Sequence, residues 1–148
     1  MTPVEKALLL HGTDVFRETS SEVLAEVGAV ADEMRVEGGM VIFSENEPAD
    51  AFYAVVSGRV QLSQGGREIK TVGPGEVFGV WAAFDGEPRV VTATAIEDVS
   101  ALKIAYEDFH DLLLDNMEIG RGIFKVLARQ IRDSIIAVHE EVISSHNK

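Results

Sequence analysis

Between Arg35 and Ile104 the chain never runs far before a glycine turn interrupts it. "RVEGGMVIF" breaks at Gly38–Gly39, and "AFYAVVSGRVQLS" breaks at Ser57–Gly58. "VQLSQGGREIKTV" reads as a hairpin around Gly65–Gly66, and "VGPGEVFG" carries a Pro-Gly pair. "VVTATAIEDVSALKI" alternates before a final strand. Short strands at regular spacing with turns between them build an antiparallel barrel or sandwich. The expected fold is mainly β with α: an antiparallel β-barrel of jelly-roll type, flanked by N-terminal helices and a long C-terminal helix.

The flanks have a different period. Residues 1–34 are expected to be helical. "VEKALLLHG" stops at Gly12, and "TSSEVLAEVGAVADEM" opens on a Ser or Thr cap with Glu22 close behind. Val23, Leu24, Val27, Val30 and Met34 then recur at helical spacing. The barrel is assigned to residues 35–105 and the C-terminal helices to 106–148, all in one domain. "AYEDFHDLLLDN" breaks near Asn116, and a long helix follows. Within it Phe124, Ala128, Ile131, Ile135, Val138 and Val142 repeat at steps of four and three. That is the seam of a two-stranded coiled coil, so a homodimer through this helix is expected. Folding back of the helix on its own domain is the alternative. Ile123, Leu127 and Ile136 fall outside the seam and are candidates to pack on the barrel. Gly120 and Gly122 suit either a hinge or a close helix crossing.

Charge and composition exclude several classes. The net charge of −12 opposes contact with nucleic-acid phosphates and with anionic membranes. No apolar run reaches the roughly 18 residues of a membrane span, and the start lacks the pattern of a signal peptide. The default expectation is cytoplasmic. Without cysteine there is no disulfide or thiolate chemistry. His11, His110, His139 and His146 stand apart, and none lies in the expected strands, so no metal site is expected. No serine elbow or Walker loop is present. The chain reads as a non-enzyme that needs no cofactor.

The segment "EVFGVWAAFDGEPRVVTATA", residues 76–95, holds the candidate site. Gly75 and Gly79 bracket a strand end, and "VWAAF" then suits one or two helical turns. Arg89 follows a tight connection containing Gly86 and Pro88. An arginine fork facing backbone N–H groups suits an anion. A buried arginine must also be partnered, and Asp50 or Glu87 could do that with no ligand. On the residues alone two readings stay open: a bound small anion or a purely internal ion pair.

The segment resembles the phosphate-binding cassette of the cyclic nucleotide-binding domain family, which includes the catabolite activator protein and the regulatory subunits of cAMP-dependent protein kinase. The family pattern runs Phe-Gly-Glu, an apolar residue, Ala, and later Pro-Arg with two small residues. Here, over residues 78–92, it reads Phe78-Gly79-Val80-Trp81-Ala82, then Pro88-Arg89-Val90-Val91-Thr92, without a gap. "GGMVIFSENEPADAFYAVVSGRVQL" and "TVGPGEVFG" resemble the family's earlier strands. The resemblance implies that Arg89 binds the cyclic phosphate of cAMP or cGMP. It implies that the N–H groups of Ala82 and Val90 bind the free phosphate oxygens, and that Gly79 lets the ribose approach. Asp50 matches an acid that can pair with the arginine. Position 80 departs from the family: Val80 stands where a glutamate would accept the ribose 2′-OH. A charged acceptor for a buried hydroxyl contributes about 1.5–3 kcal/mol, so a loss in affinity of roughly tenfold to more than a hundredfold is implied. Trp81 is bulkier than the family's Leu, Ile or Val, and suits either filling the sugar's space or stacking on a different ligand. A regulatory sensor that moves its terminal helix is the first expectation. A degenerate member that binds no nucleotide and serves as a dimerisation module is the second. An effector domain joins the list of partners if the chain is cut from a longer one.

Overall fold

A computed structural model describes residues 1–146, with side chains described through Ile143. The last two residues of the expected terminal helix, Asn147 and Lys148, lie outside the described residues, as does the side chain of His146. In chain order the elements are α1 (Pro3–His11), α2 (Ser21–Val30), β1 (Asp32–Val36), β2 (Val41–Phe43), β3 (Ala51–Ser57) and β4 (Val60–Gln64). Then come β5 (Arg67–Val72), β6 (Val77–Phe78), α3 (Ala82–Asp85), β7 (Thr92–Ala95), β8 (Val99–Ala105), α4 (Tyr106–Asp115) and α5 (Met117–His146).

The strands form two antiparallel sheets of order β1-β8-β3-β6 and β2-β7-β4-β5. These are the expected barrel and its flanking helices. Gly65 and Gly66 both take positive φ, +59° and +79°, and join β4 to β5 as the expected hairpin. At Gly58 the chain leaves one sheet for the other with φ +86°, and a Cβ there would sit 2.3 Å from the Asp98 carbonyl oxygen. Only glycine fits. Gly58→Ala is expected to cost at least about 1–2 kcal/mol from the left-handed backbone alone, read as a lowered thermal midpoint.

One boundary moves. Met34 follows Val30 at helical spacing, yet β1 begins at Asp32 and contains Met34. Ala31 is extended (φ −83°, ψ 129°), which ends α2. Asp32, Glu33 and Met34 then pair with Lys103, Leu102 and Ala101 of β8. The sheet ladder satisfies backbone groups that one more helical turn would leave at a frayed end.

β3 is buried on both faces, which explains its unbroken apolar run. Ala51, Tyr53 and Val55 face the barrel interior with Phe43 and Phe78. Phe52 and Ala54 face a second cluster with Phe16, Leu24, Phe109, Ile119 and Ile123 from the helices. One strand therefore joins the barrel core to the helical core.

α4 and α5 meet at Asn116, whose extended backbone (φ −132°, ψ 91°) makes the expected break. α5 is continuous through Gly120 and Gly122. A Cβ at Gly122 would lie 2.7 Å from the Thr19 hydroxyl oxygen, so this glycine serves a close crossing, and the bend is at Asn116. Ser20 donates through its N–H and hydroxyl to the Glu118 carboxylate at 3.1 and 3.3 Å. Arg129 bonds Glu18 farther along. Ile123 is buried in the cluster where the helices meet Phe52, Ala54, Leu102 and Ile104 of the barrel strands, as expected, whereas Ile136 is exposed. The turn that carries Ile136 has already passed the domain. Phe124, Ala128, Ile131, Ile135, Val138 and Val142 are exposed as well, so the helix does not fold its seam back on its own domain. None of the described helices is long and apolar enough to cross a membrane.

Candidate functional site

The cassette is held as a loop with its own internal bonds. β6 ends at Phe78, and Gly79 follows with a φ of +79°. The N–H groups of Ala83 and Phe84 donate to the carbonyls of Val80 and Trp81 and start α3. Gly86 in the left-handed region ends it after one turn. The backbone of Arg89 is then pinned on both sides: its N–H donates to Glu47 O at 2.9 Å, and its carbonyl accepts from Asn46 N at 2.8 Å.

That anchoring turns the Arg89 side chain inward, where the residue is only 4% exposed. Nη2 donates to Ala51 O at 2.5 Å, and Nη1 donates to Gly79 O at 3.1 Å and to Tyr106 Oη at 3.0 Å. The guanidinium lies 3.9 Å from the centre of the Phe43 ring. Its Nε has no partner among the described residues. The Tyr106 hydroxyl in turn donates to Gly79 O. Burial pushes the Tyr106 phenol above its ordinary value, against the pull of the Arg89 charge, so it stays a neutral donor.

The sequence-based partner for this arginine is displaced. Asp50 Oδ1 lies 3.9 Å from Nη2, beyond hydrogen-bond length, and its side chain is 81% exposed. Glu87 makes no ion pair with Arg89 among the described residues. The charge is met by two carbonyl dipoles, a phenol and an aromatic face instead. Tyr106 and Phe43 escaped the sequence reading, although a tyrosine at the start of an amphipathic helix carries a hydroxyl that burial would force to find a partner. Ala51 and Gly79 act through backbone oxygens, which leave no mark in residue identity.

Gly79, Val80, Trp81, Ala82, Arg89 and Val90 are brought together around one pocket of about 360 Å³. Phe78 lines its base, stacked on Tyr53 at 5.1 Å. Leu62 and Lys70 close it from the barrel side, and Gln130 of α5 reaches its mouth. The N–H groups of Ala82 and Val90 have no protein acceptor among the described residues. Gly79 is needed by the arginine itself, because a Cβ there would sit 2.7 Å from Arg89 Nη1. Val80 is 2% exposed and belongs to the helical core cluster, so a glutamate there would bring a carboxylate into apolar surroundings. Thr92 and Asp50 lie outside the pocket lining. Thr92 serves the fold: its Oγ1 accepts from Glu45 N at 3.1 Å and donates to the Glu45 carboxylate. No group of three or more metal-ligating side chains exists among the described residues.

Known proteins are similar to this chain in sequence and, where solved structures are compared, in fold. The CRP-like cAMP-activated global transcriptional regulator of Mycobacterium tuberculosis is 29% identical over 129 residues, covering 84% of this chain and 58% of that protein. A cyclic nucleotide-gated potassium channel of Mesorhizobium japonicum is 32% identical over 124 residues, covering 84% of this chain and 34% of the channel. The chain thus spans little more than half of the first relative and about a third of the second. The crystal structure of the N-terminal domain of a transcriptional regulator from Streptomyces coelicolor A3(2) superposes with a TM-score of 0.76 at 28% identity, covering 88% of this chain and 94% of that one. The relatives are a regulator and a channel rather than enzymes. The pattern of the cyclic nucleotide-binding domain matches residues 33–116, a span that runs from β1 through the cassette to the end of α4, and the chain belongs to that family.

Proposed function

We propose that the chain is a regulatory module that binds a cyclic nucleotide in the Arg89 pocket and passes the change to α5. One observation carries the reading: a buried arginine with an unpartnered Nε borders the same pocket as the free N–H groups of Ala82 and Val90. These are donors for an anion with several oxygens. A phosphate exchanges with the carbonyl and phenol contacts of the guanidinium. Tyr106, which shares its hydroxyl between Arg89 and Gly79, is the first residue of α4. Any movement of the arginine is therefore felt at the start of α4, and through Asn116 at α5. The ligand shifts a population between two placements of the terminal helix. The test is isothermal titration with cAMP and then cGMP, with Arg89→Ala as control. Hydrogen exchange over residues 116–143 follows, with and without nucleotide. Absence of heat with both nucleotides overturns the sensor reading. Heat with unchanged exchange overturns only the coupling.

The exposed seam of α5 favours a second role in the same molecule, pairing with a second copy. Phe124, Ile131, Ile135, Val138 and Val142 present apolar side chains that this chain leaves uncovered. Ile135→Asp is expected to shift a dimer to monomer in sedimentation at micromolar concentration, because a charge at a seam position opposes pairing. An unchanged sedimentation coefficient, with both proteins monomeric, would remove the dimer. If the nucleotide titration is blank, this seam is the functional surface, and the domain is an interaction module.

A further inference from the structure

The pocket has one aromatic side chain at its mouth that the fold does not consume. Trp81 is 41% exposed and lines the pocket. It neither fills the cavity nor joins either core. Its indole is braced: Phe84 lies 6.2 Å away at a 38° tilt, and Phe84 meets the wholly buried Phe109 edge-on at 6.2 Å. Two successive aromatic contacts thus narrow the freedom of a large flat side chain that lines the pocket. Beside it, position 80 has no acceptor to offer a sugar hydroxyl, since the valine is buried in the helical cluster.

We propose that Trp81 is the base-recognising residue of this pocket: a nucleotide is held by its phosphate and by the face of its base, and the ribose 2′-hydroxyl contributes little. This deepens the cyclic-nucleotide reading and rests on it. Stacking on an aromatic face tolerates every base, because each has a π-surface. Purines, with the larger surface, bind tighter than pyrimidines.

The chain contains a single tryptophan, so its emission reports the pocket alone. The experiment titrates cAMP and 2′-deoxy-cAMP into the wild type, Trp81→Phe and Trp81→Ala by calorimetry, with the wild type also followed by fluorescence. Circular dichroism checks that the variants fold, as replacement of a half-exposed residue predicts. In the wild type, cAMP changes the emission, and 2′-deoxy-cAMP binds within about threefold of cAMP, the ribose hydroxyl lacking a charged acceptor. Trp81→Ala binds roughly tenfold to a hundredfold more weakly, with Trp81→Phe between. Binding by Trp81→Ala within about twofold of wild type, or a loss of about tenfold or more on removing the 2′-hydroxyl, overturns this proposal and leaves the sensor reading intact. Absence of heat with both cAMP and cGMP in the wild type overturns both.

Discussion

Phe109→Ala is expected to lower stability by about 3–5 kcal/mol, the range for truncating a fully buried phenylalanine. For a chain of this size that is a fall of roughly 10–15 °C in thermal midpoint. The ring is wholly buried. It meets Phe52 of β3 edge-on at 5.0 Å, Phe16 ahead of α2 at 6.2 Å and Phe84 of α3 at 6.2 Å. One side chain on α4 thus ties together the barrel, the N-terminal helices and the cassette, which cannot all relax into the space it leaves. Phe109→Leu fills most of that volume and is expected to lose less than half as much. Calorimetric scans of the two variants decide it, and equal losses would mean that the site collapses freely.

Arg89→Met carries the second large effect, and its two parts have different signs. Affinity for cAMP is expected to fall by roughly a hundredfold or more, since charge-assisted contacts contribute about 1.5–3 kcal/mol each. Stability is expected to hold or rise. The guanidinium is buried, its nearest carboxylate is 3.9 Å away and solvated, and its Nε is unpartnered. Burying a charge costs several kcal/mol before compensation. Two carbonyls, a phenol and the Phe43 face offset only part of it. Methionine keeps the stem and packs on the Phe43 ring. Gly79 O still accepts from Tyr106, so Ala51 O is the main acceptor left unpaired. A melt and a titration on the same variant test both parts. A midpoint lowered by more than about 5 °C would make the arginine a structural brace rather than a ligand group held in readiness.

The barrel is legible because its signals are local. The Gly65–Gly66 hairpin and the stop at Gly12 lie in the residues that make them. Which sheet a strand joins is not local. Ser57–Gly58 reads as a simple turn, yet it carries the chain from one sheet to the other, because the partners of β3 and β4 lie far along the sequence. Met34 shows the opposite failure: its spacing from Val30 imitates a helix, and only the distant β8 makes it a strand residue. At the site, Pro88-Arg89 marks the arginine plainly. Its acceptors are hidden because any residue at position 51 would supply the same carbonyl. Asp50 is marked by the family resemblance, but its side chain turns to solvent while the next residue's oxygen takes the contact.

The sheet order β1-β8-β3-β6 sets a timetable for synthesis. β1 leaves the ribosome early, yet its neighbour is β8, the last strand made, with Asp32 paired to Lys103. β3 also waits for β8 along most of its length. Until residues 99–105 emerge, two strands carry open edges, and one of them is apolar on both faces. Such an intermediate invites pairing between nascent chains. Once β8 arrives it fills a central seat and closes both edges in one step. Folding is therefore expected to be late and all-or-none, and a chain ending before Val99 should be insoluble rather than half-folded.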